Sequence, residues 1–262
     1  MIGFCPLASG SKGNSIYFGT ENTRVLFDAG LGVRTLEERL CFVQTSLQEI
    51  RAIFISHEHS DHIKGLPSIL RKHDIPVFAN SETAKAMIHE LGPISNLHIF
   101  ATGETFFFED LEIHPFSVQH DTLDPVAFTV TKKPIKVGIC TDLGHVSTLV
   151  VDQLQRCSYL YIEANHEPSM VHACPRPPIY KQRVLSRQGH LSNAQCRELI
   201  ELIAHKDLKH IYLAHLSSEC NHPDLALQTI REKIQDLGLT TSVSIASQHQ
   251  PSTPIRFTSN CS

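Results

Sequence analysis

Residues 57–62 read His57-Glu58-His59-Ser60-Asp61-His62, which places four side chains able to ligate a metal within six positions. The window directly follows the apolar run Ala52-Ile53-Phe54-Ile55, so it reads as a loop leaving the end of a buried strand. If strand alternation continues through it, His57, His59 and Asp61 share one face and His62 points elsewhere. One ion has no need of so many donors in so tight a space, whereas two neighbouring ions do. Imidazole with carboxylate suits zinc, manganese or iron and argues against a structural zinc held by thiolates. The plain alternative is a histidine-rich surface tract or tag. A tag would be terminal and repetitive, and this window is internal, mixed in composition and set against a strand.

The rest of the chain fits one large α/β domain. Its 262 residues are 41% hydrophobic, ample for a core, and we expect a single domain over 1–262. Ile2–Leu7, Ile16–Phe18 and Val25–Phe27 read as a β-meander, with Glu21-Asn22-Thr23 as a hairpin turn. Helical spacing predicts helices over 33–44, 63–72, 81–91, 192–204 and about 223–237, with Ser192 and Gln195 as a capping box. Further strands are predicted at 75–78, 97–100, 105–108, 111–118, 126–130, 136–140, 159–163 and 211–213. Strands in both halves, each half adding helices, imply two sheets face to face with helices outside. The tail 247–262 is polar and contains proline, and is expected to be loosely held.

Composition narrows the setting. The start lacks the pattern of a secretory signal, and no apolar stretch approaches membrane-spanning length. The eight cysteines are scattered without a Cys-x-x-Cys pair, so we expect free thiols, a cytoplasmic protein and no membrane partner. The formal charge of −4 means that the whole molecule does not attract polyanions.

Three more donors sit just past strand-like runs: His120, Asp142 and His215. A lone strand-end histidine is more often a turn residue, but three such positions in order after His-x-His-x-Asp-His form a pattern. With it the chain resembles the metallo-β-lactamase fold superfamily along nearly its whole length. Leu7–Ser15, Glu163-Ala164-Asn165-His166, Lys181–Ser186, Gly189–Asn193 and Ala214–Ser217 further resemble its YycJ/WalJ-like subfamily.

That resemblance implies a four-layer αββα sandwich and two divalent ions, zinc or manganese ahead of iron. His57, His59 and His120 would hold the first ion, Asp61, His62 and His215 the second, and Asp142 would bridge them. Asp28 would support the loop by hydrogen bonds rather than bind metal. His145 is an extra imidazole near Asp142, read as a supporting or surface group. The implied activity is phosphodiester hydrolysis by a metal-bridging hydroxide, with DNA as the substrate partner and 5′-to-3′ exonuclease action. Asp61, Asp142, His166 and His190 are the catalytic candidates.

From 168 to 197 there is no acidic residue, but there are Arg176, Lys181, Arg183, Arg187 and Arg197, the footprint of a groove that tracks a phosphate backbone. Ser11, Asn14, Arg183 and His190 are the candidate phosphate contacts, helped by the N-terminus of the helix near Ser192. The bland reading of the same cations is a solvated face. A small-molecule hydrolase, either a cyclic phosphodiesterase or a glyoxalase-II-like thioesterase, is the alternative, because no large nucleic-acid-binding domain is added. A non-catalytic protein fits poorly with a full ligand set, and a di-iron oxidoreductase lacks its usual extensions.

Overall fold

The computed structural model describes residues 1–257. Its described residues form two compact units, one of 1–101, 107–111 and 246–257, the other of 102–106 and 112–245. The first holds a seven-stranded sheet in the order β14-β1-β2-β3-β4-β5-β6. These are β1 (Gly3–Ala8), β2 (Ser15–Gly19), β3 (Arg24–Phe27), β4 (Ala52–Phe54), β5 (Val77–Ala79), β6 (Leu97–Ile99) and β14 (Ile255–Arg256). The predicted meander is present as β1–β3, with antiparallel pairings, and the pairings from β3 to β6 are parallel.

Alternation along these strands sorts their side chains. Leu26, Ile53 and Val77 share one core with Leu36 and Leu40 of α1 (Val33–Phe42), Leu66 and Ile69 of α3 (Leu66–Leu70), and Met87 of α4 (Ser81–Leu91). Phe27 and Phe54, on the other face, stack at 5.3 Å and are fully buried. Each such side chain contributes roughly 2 kcal/mol by leaving water.

Two expectations change here. The helix predicted over 63–72 is broken into α2 (Ser60–Ile63) and α3 because Gly65 N–H donates to Ala29 O at 2.8 Å and ties the chain to the end of β3. The tail is held rather than loose through its described part. Ser252 N–H donates to Pro6 O at 2.9 Å, and β14 pairs with β1, giving backbone partners to what would otherwise be an open sheet edge. Residues 258–262, on which the rest of that expectation falls, lie outside the described residues.

The second sheet has the order β13-β12-β11-β10-β9-β8-β7. Its strands are β7 (Phe106–Phe108), β8 (Leu111–Ser117), β9 (Val126–Lys132), β10 (Ile135–Cys140), β11 (Tyr159–Glu163), β12 (His210–Ala214) and β13 (Ser242–Ile245). The run β10–β13 is parallel and in register, with Cys140 opposite Ile162 and Ile162 opposite Leu213. The carboxyl ends of β10, β11 and β12 therefore emerge at one edge, where open α/β sheets bind ligands. Leu160, Ile162, Ile211 and Leu213 pack with α5 (Thr148–Leu154), α8 (Asn193–Ile203) and α9 (Pro223–Asp236). Two short helices, α6 (Pro168–Ala173) and α7 (Pro178–Val184), fill the basic stretch. The seven described cysteines are free thiols, and no described helix is long and apolar enough to cross a membrane.

One titratable group braces β12. The His210 ring lies between Ser242 Oγ and Ser244 Oγ at 2.5 and 2.8 Å, and burial pushes its pKa down to about 4 from 6.5. The unfolded chain then takes up the proton first, so this group's contribution is intact above about 6.5 and is lost as pH falls towards 4. In His210→Gln, the drop in urea midpoint between these two pH values should be smaller than in the wild type. An equal drop would show that His210 does not control this acid sensitivity.

Candidate metal centre

In the first unit, β4 ends at Phe54 and α2 begins at Ser60, so the histidine window is a loop running into a helical turn. Strand alternation does not apply there, and His62, expected to point elsewhere, lies against His57 instead. The ring centroids of His57 and His59 are 4.9 Å apart, and those of His57 and His62 are 4.0 Å apart. Asp28, just past β3, fixes the loop. Its Oδ1 accepts from Ser56 N–H at 2.9 Å, and its Oδ2 accepts from His62 Nδ1 at 2.8 Å. The Nδ1 proton thus faces a carboxylate, and Nε2 is turned the other way as a lone-pair donor.

The glycine-serine loop clamps the same turn. Asn14 donates from Nδ2 to Asp61 Oδ2 at 3.0 Å and to His62 Nε2 at 2.9 Å, while its Oδ1 accepts from Gly10 N–H at 2.7 Å. Gly30 is required beside it, since a Cβ there would meet Asp61 O at 1.6 Å. Asn14 is thus a buried positioning group, whereas Ser11 is exposed.

In the second unit, His120 follows β8, Asp142 follows β10 and His215 follows β12, all three buried. Asp142 Oδ1 lies 3.8 Å from His120 Nε2 and 3.5 Å from His215 Nε2. His120 Nδ1 donates to Gly189 O at 3.0 Å, and again this leaves Nε2 for a cation. Asp28, Asp142 and His215 all have positive φ, at 62°, 59° and 53°. Such strain, on the order of 1 kcal/mol or more per residue, gathers where a site dictates the backbone.

The sequence reading assigned no role to Glu163, although it stands at the end of an apolar strand, the signal used for the other donors. It is fully buried, and Oε1 accepts from His190 Nδ1 at 2.8 Å and from His215 Nδ1 at 3.1 Å. Oε2 accepts from Leu143 N–H and Leu191 N–H, each at 3.1 Å. Burial works to raise its pKa, but the His190 charge and the two imidazole hydrogen bonds outweigh this and hold it below the usual range. Asp142, Glu163, His190 and His215 each offer a ligand atom within 4.8 Å of the others. His145 is half-buried. His166 is buried, and desolvation lowers its pKa to about 4 even though Glu163 opposes this, so it is neutral at pH 7.

The basic stretch is less open than it looks in sequence. Arg183 pairs with Asp121, Arg176 with Glu219 and Arg197 with Asp236. The start of α8 is also occupied, which corrects the expectation that it faces an anion. Asn193 N–H donates to His166 O, and the predicted capping box is formed between Ser192 and Gln195.

Residues 23–216 match the family model described as a β-lactamase superfamily domain. The chain is 35% identical to "Exodeoxyribonuclease YycJ" of Bacillus anthracis over 90% of each chain. It is 36% identical to "Exodeoxyribonuclease WalJ" of Streptococcus pneumoniae over 89% of each. The crystal structure of the metallo-β-lactamase fold protein YhfI from Bacillus subtilis superposes with a TM-score of 0.70 at 14% identity, covering 96% of this chain and 99% of that one. The last likeness shows the fold, an α/β sandwich of two mixed sheets flanked by helices.

Proposed function

Because this chain belongs to the metallo-β-lactamase superfamily, in its YycJ/WalJ-like branch, we propose that it is a metal-dependent DNA exonuclease acting from the 5′ end. The observation that carries the chemistry is the convergence of Asp142, Glu163, His190 and His215 at the carboxyl edge of a parallel sheet. The ligand assignment is part of the proposal: His57, His59 and His120 for one ion, Asp61, His62 and His215 for the other, Asp142 for both. The donor set supports it. His120 and His215 each have Nδ1 at an oxygen acceptor, so Nε2 is the atom offered to a cation, whereas Nε2 of His62 meets Asn14 Nδ2 at 2.9 Å, a hydrogen bond that a cation would have to displace. Nitrogen and carboxylate donors fit zinc or manganese.

When bound, the ions would supply an activated water and neutralise charge at the phosphate. The chain's own groups supply orientation and a proton. Glu163 holds His190 by Nδ1, so Nε2 is free to exchange a proton with the leaving oxygen. His166, neutral at pH 7, is the weaker proton donor, and we assign it to holding the turn before α8 through its backbone bridge to Ser192. Ser11 remains a phosphate contact in this reading. Arg183 shares its guanidinium with Asp121, so its contact with DNA is a divided one.

The test is incubation of the purified protein with 5′-labelled and 3′-labelled duplex DNA, with manganese, zinc or a chelator. The expected result is metal-dependent degradation that releases the 5′ label first. No degradation by protein shown to hold about two metal equivalents would overturn the nuclease reading in favour of a small ester, with cyclic phosphodiesters and thioesters assayed next.

A further inference from the structure

The second unit contains a groove of about 770 Å³ with His120 in its lining. Small-molecule sites span roughly 300–1,000 Å³, so this one is large enough for a nucleotide. One wall is the segment 117–125 leaving β8, and the other is the turn Ser186-Arg187-Gln188.

The walls carry hydrogen-bonding groups that the protein does not use. Among the described residues, Arg187 has no acidic partner, unlike Arg176, Arg183 and Arg197 of the same stretch. The side-chain amides of Gln119 and Gln188 have no hydrogen-bond partner within the described protein either. Thr122 Oγ1 is shielded from solvent and also lacks a partner, a costly arrangement unless a ligand completes it. Of the lining residues only Asp124 is acidic, and it accepts from Thr102 Oγ1 at 2.8 Å, while Asp121 of the same segment pairs with Arg183 and lies 3.4 Å from His120 Nε2. Leu123, 65% exposed, adds the apolar surface that a sugar or base face covers.

The turn is also rigid. Ser186 N–H donates to Arg183 O, Gly189 N–H to Ser186 O and His190 N–H to Val184 O, all at 3.0–3.2 Å. Gly189 O in turn receives His120 Nδ1, so Arg187 is held at a fixed offset from His120. These bonds fix the backbone from which Arg187 projects, and its exposed guanidinium is left to turn towards an anion.

We propose that this groove seats the nucleotide next to the scissile bond, with Arg187 on its phosphate and the two glutamine amides on its base. This rests on the nuclease reading above and adds to it a subsite for the adjoining nucleotide. Arg187, rather than the carboxylate-paired Arg183, is then the main backbone contact of the basic stretch.

The experiment compares kcat/KM for a short single-stranded oligonucleotide with that for bis(p-nitrophenyl) phosphate, which has no adjoining nucleotide. In Arg187→Ala the ratio should fall about tenfold, and the slope of log KM against log salt for the oligonucleotide should shrink by about 0.7, one phosphate contact. Leu123→Glu, at an exposed position that burdens the fold little, should lower the ratio in the same direction by placing a carboxylate opposite the phosphate. Ratios within about twofold of the wild type in both variants, including a parallel loss of both substrates in Arg187→Ala, would overturn the subsite. A wild-type protein that cleaves the small diester and leaves the oligonucleotide intact would instead overturn the nuclease reading itself.

Discussion

Asp142→Ala should lose hydrolysis by roughly a thousandfold or more, the scale seen when a group aimed at reaction-centre charge is removed, and should lose bound metal with it. The carboxylate is buried, and Oδ1 lies within 4 Å of Nε2 of both His120 and His215. Two histidines on separate strands therefore converge on one oxygen. Asp142→Asn is the informative companion, because asparagine tolerates the φ of 59° and keeps the shape. It should fold as well as the wild type by thermal melting and still be inactive and metal-poor by elemental analysis. An active variant with full metal content would remove Asp142 from the ligand set.

Glu163 should give the largest loss of stability. Glu163→Ala takes away the acceptor for His190, His215, Leu143 N–H and Leu191 N–H inside the protein. Removing one partner of a buried charged network costs about 3–5 kcal/mol, readable as a fall in urea midpoint. Glu163→Gln separates structure from chemistry. Its oxygen can still accept from the two backbone N–H groups, but its NH₂ then faces the imidazoles. Both rings must respond by moving their protons to Nε2, which leaves His215 no lone pair for a cation. Metal affinity should fall about 10–100-fold, the usual cost of a disturbed ligand orienter, with a smaller loss of stability than in the alanine variant. Equal metal affinity in Glu163→Gln and wild type would show that Glu163 is only a structural brace.

These two residues differ in how they could be read from sequence. Asp142 was legible because it follows the apolar run of β10 and falls in order after His-x-His-x-Asp-His. Glu163 follows β11 in the same way, yet a single strand-end glutamate carries no spacing pattern. Only the register of β10, β11 and β12 brings it between His190 and His215. Arg183 shows the converse. The absence of acids from 168 to 197 suggested open cations, but Asp121, Glu219 and Asp236 arrive from other segments. Ion pairs are set by folding, and local composition does not report them.

Elements divide the same way. The helix 81–91 and the strand 159–163 are found where the sequence places them, because apolar periodicity and the Gly92-Pro93 stop are local signals. The helices α5, α6 and α7 and the edge strands β13 and β14 were not foreseen. They are short, two of them begin with proline, and they are stabilised by what they pack or pair against rather than by their own pattern. The sequence by itself determined the candidate donors and their order along the chain, since residue type just past an apolar run is a local signal. The tertiary structure alone decided which nitrogen each histidine presents, which arginine keeps its charge unpaired and where the groove runs. Those depend on hydrogen-bond and charge partners tens of residues away, and only a formed sheet brings them within about 3–4 Å.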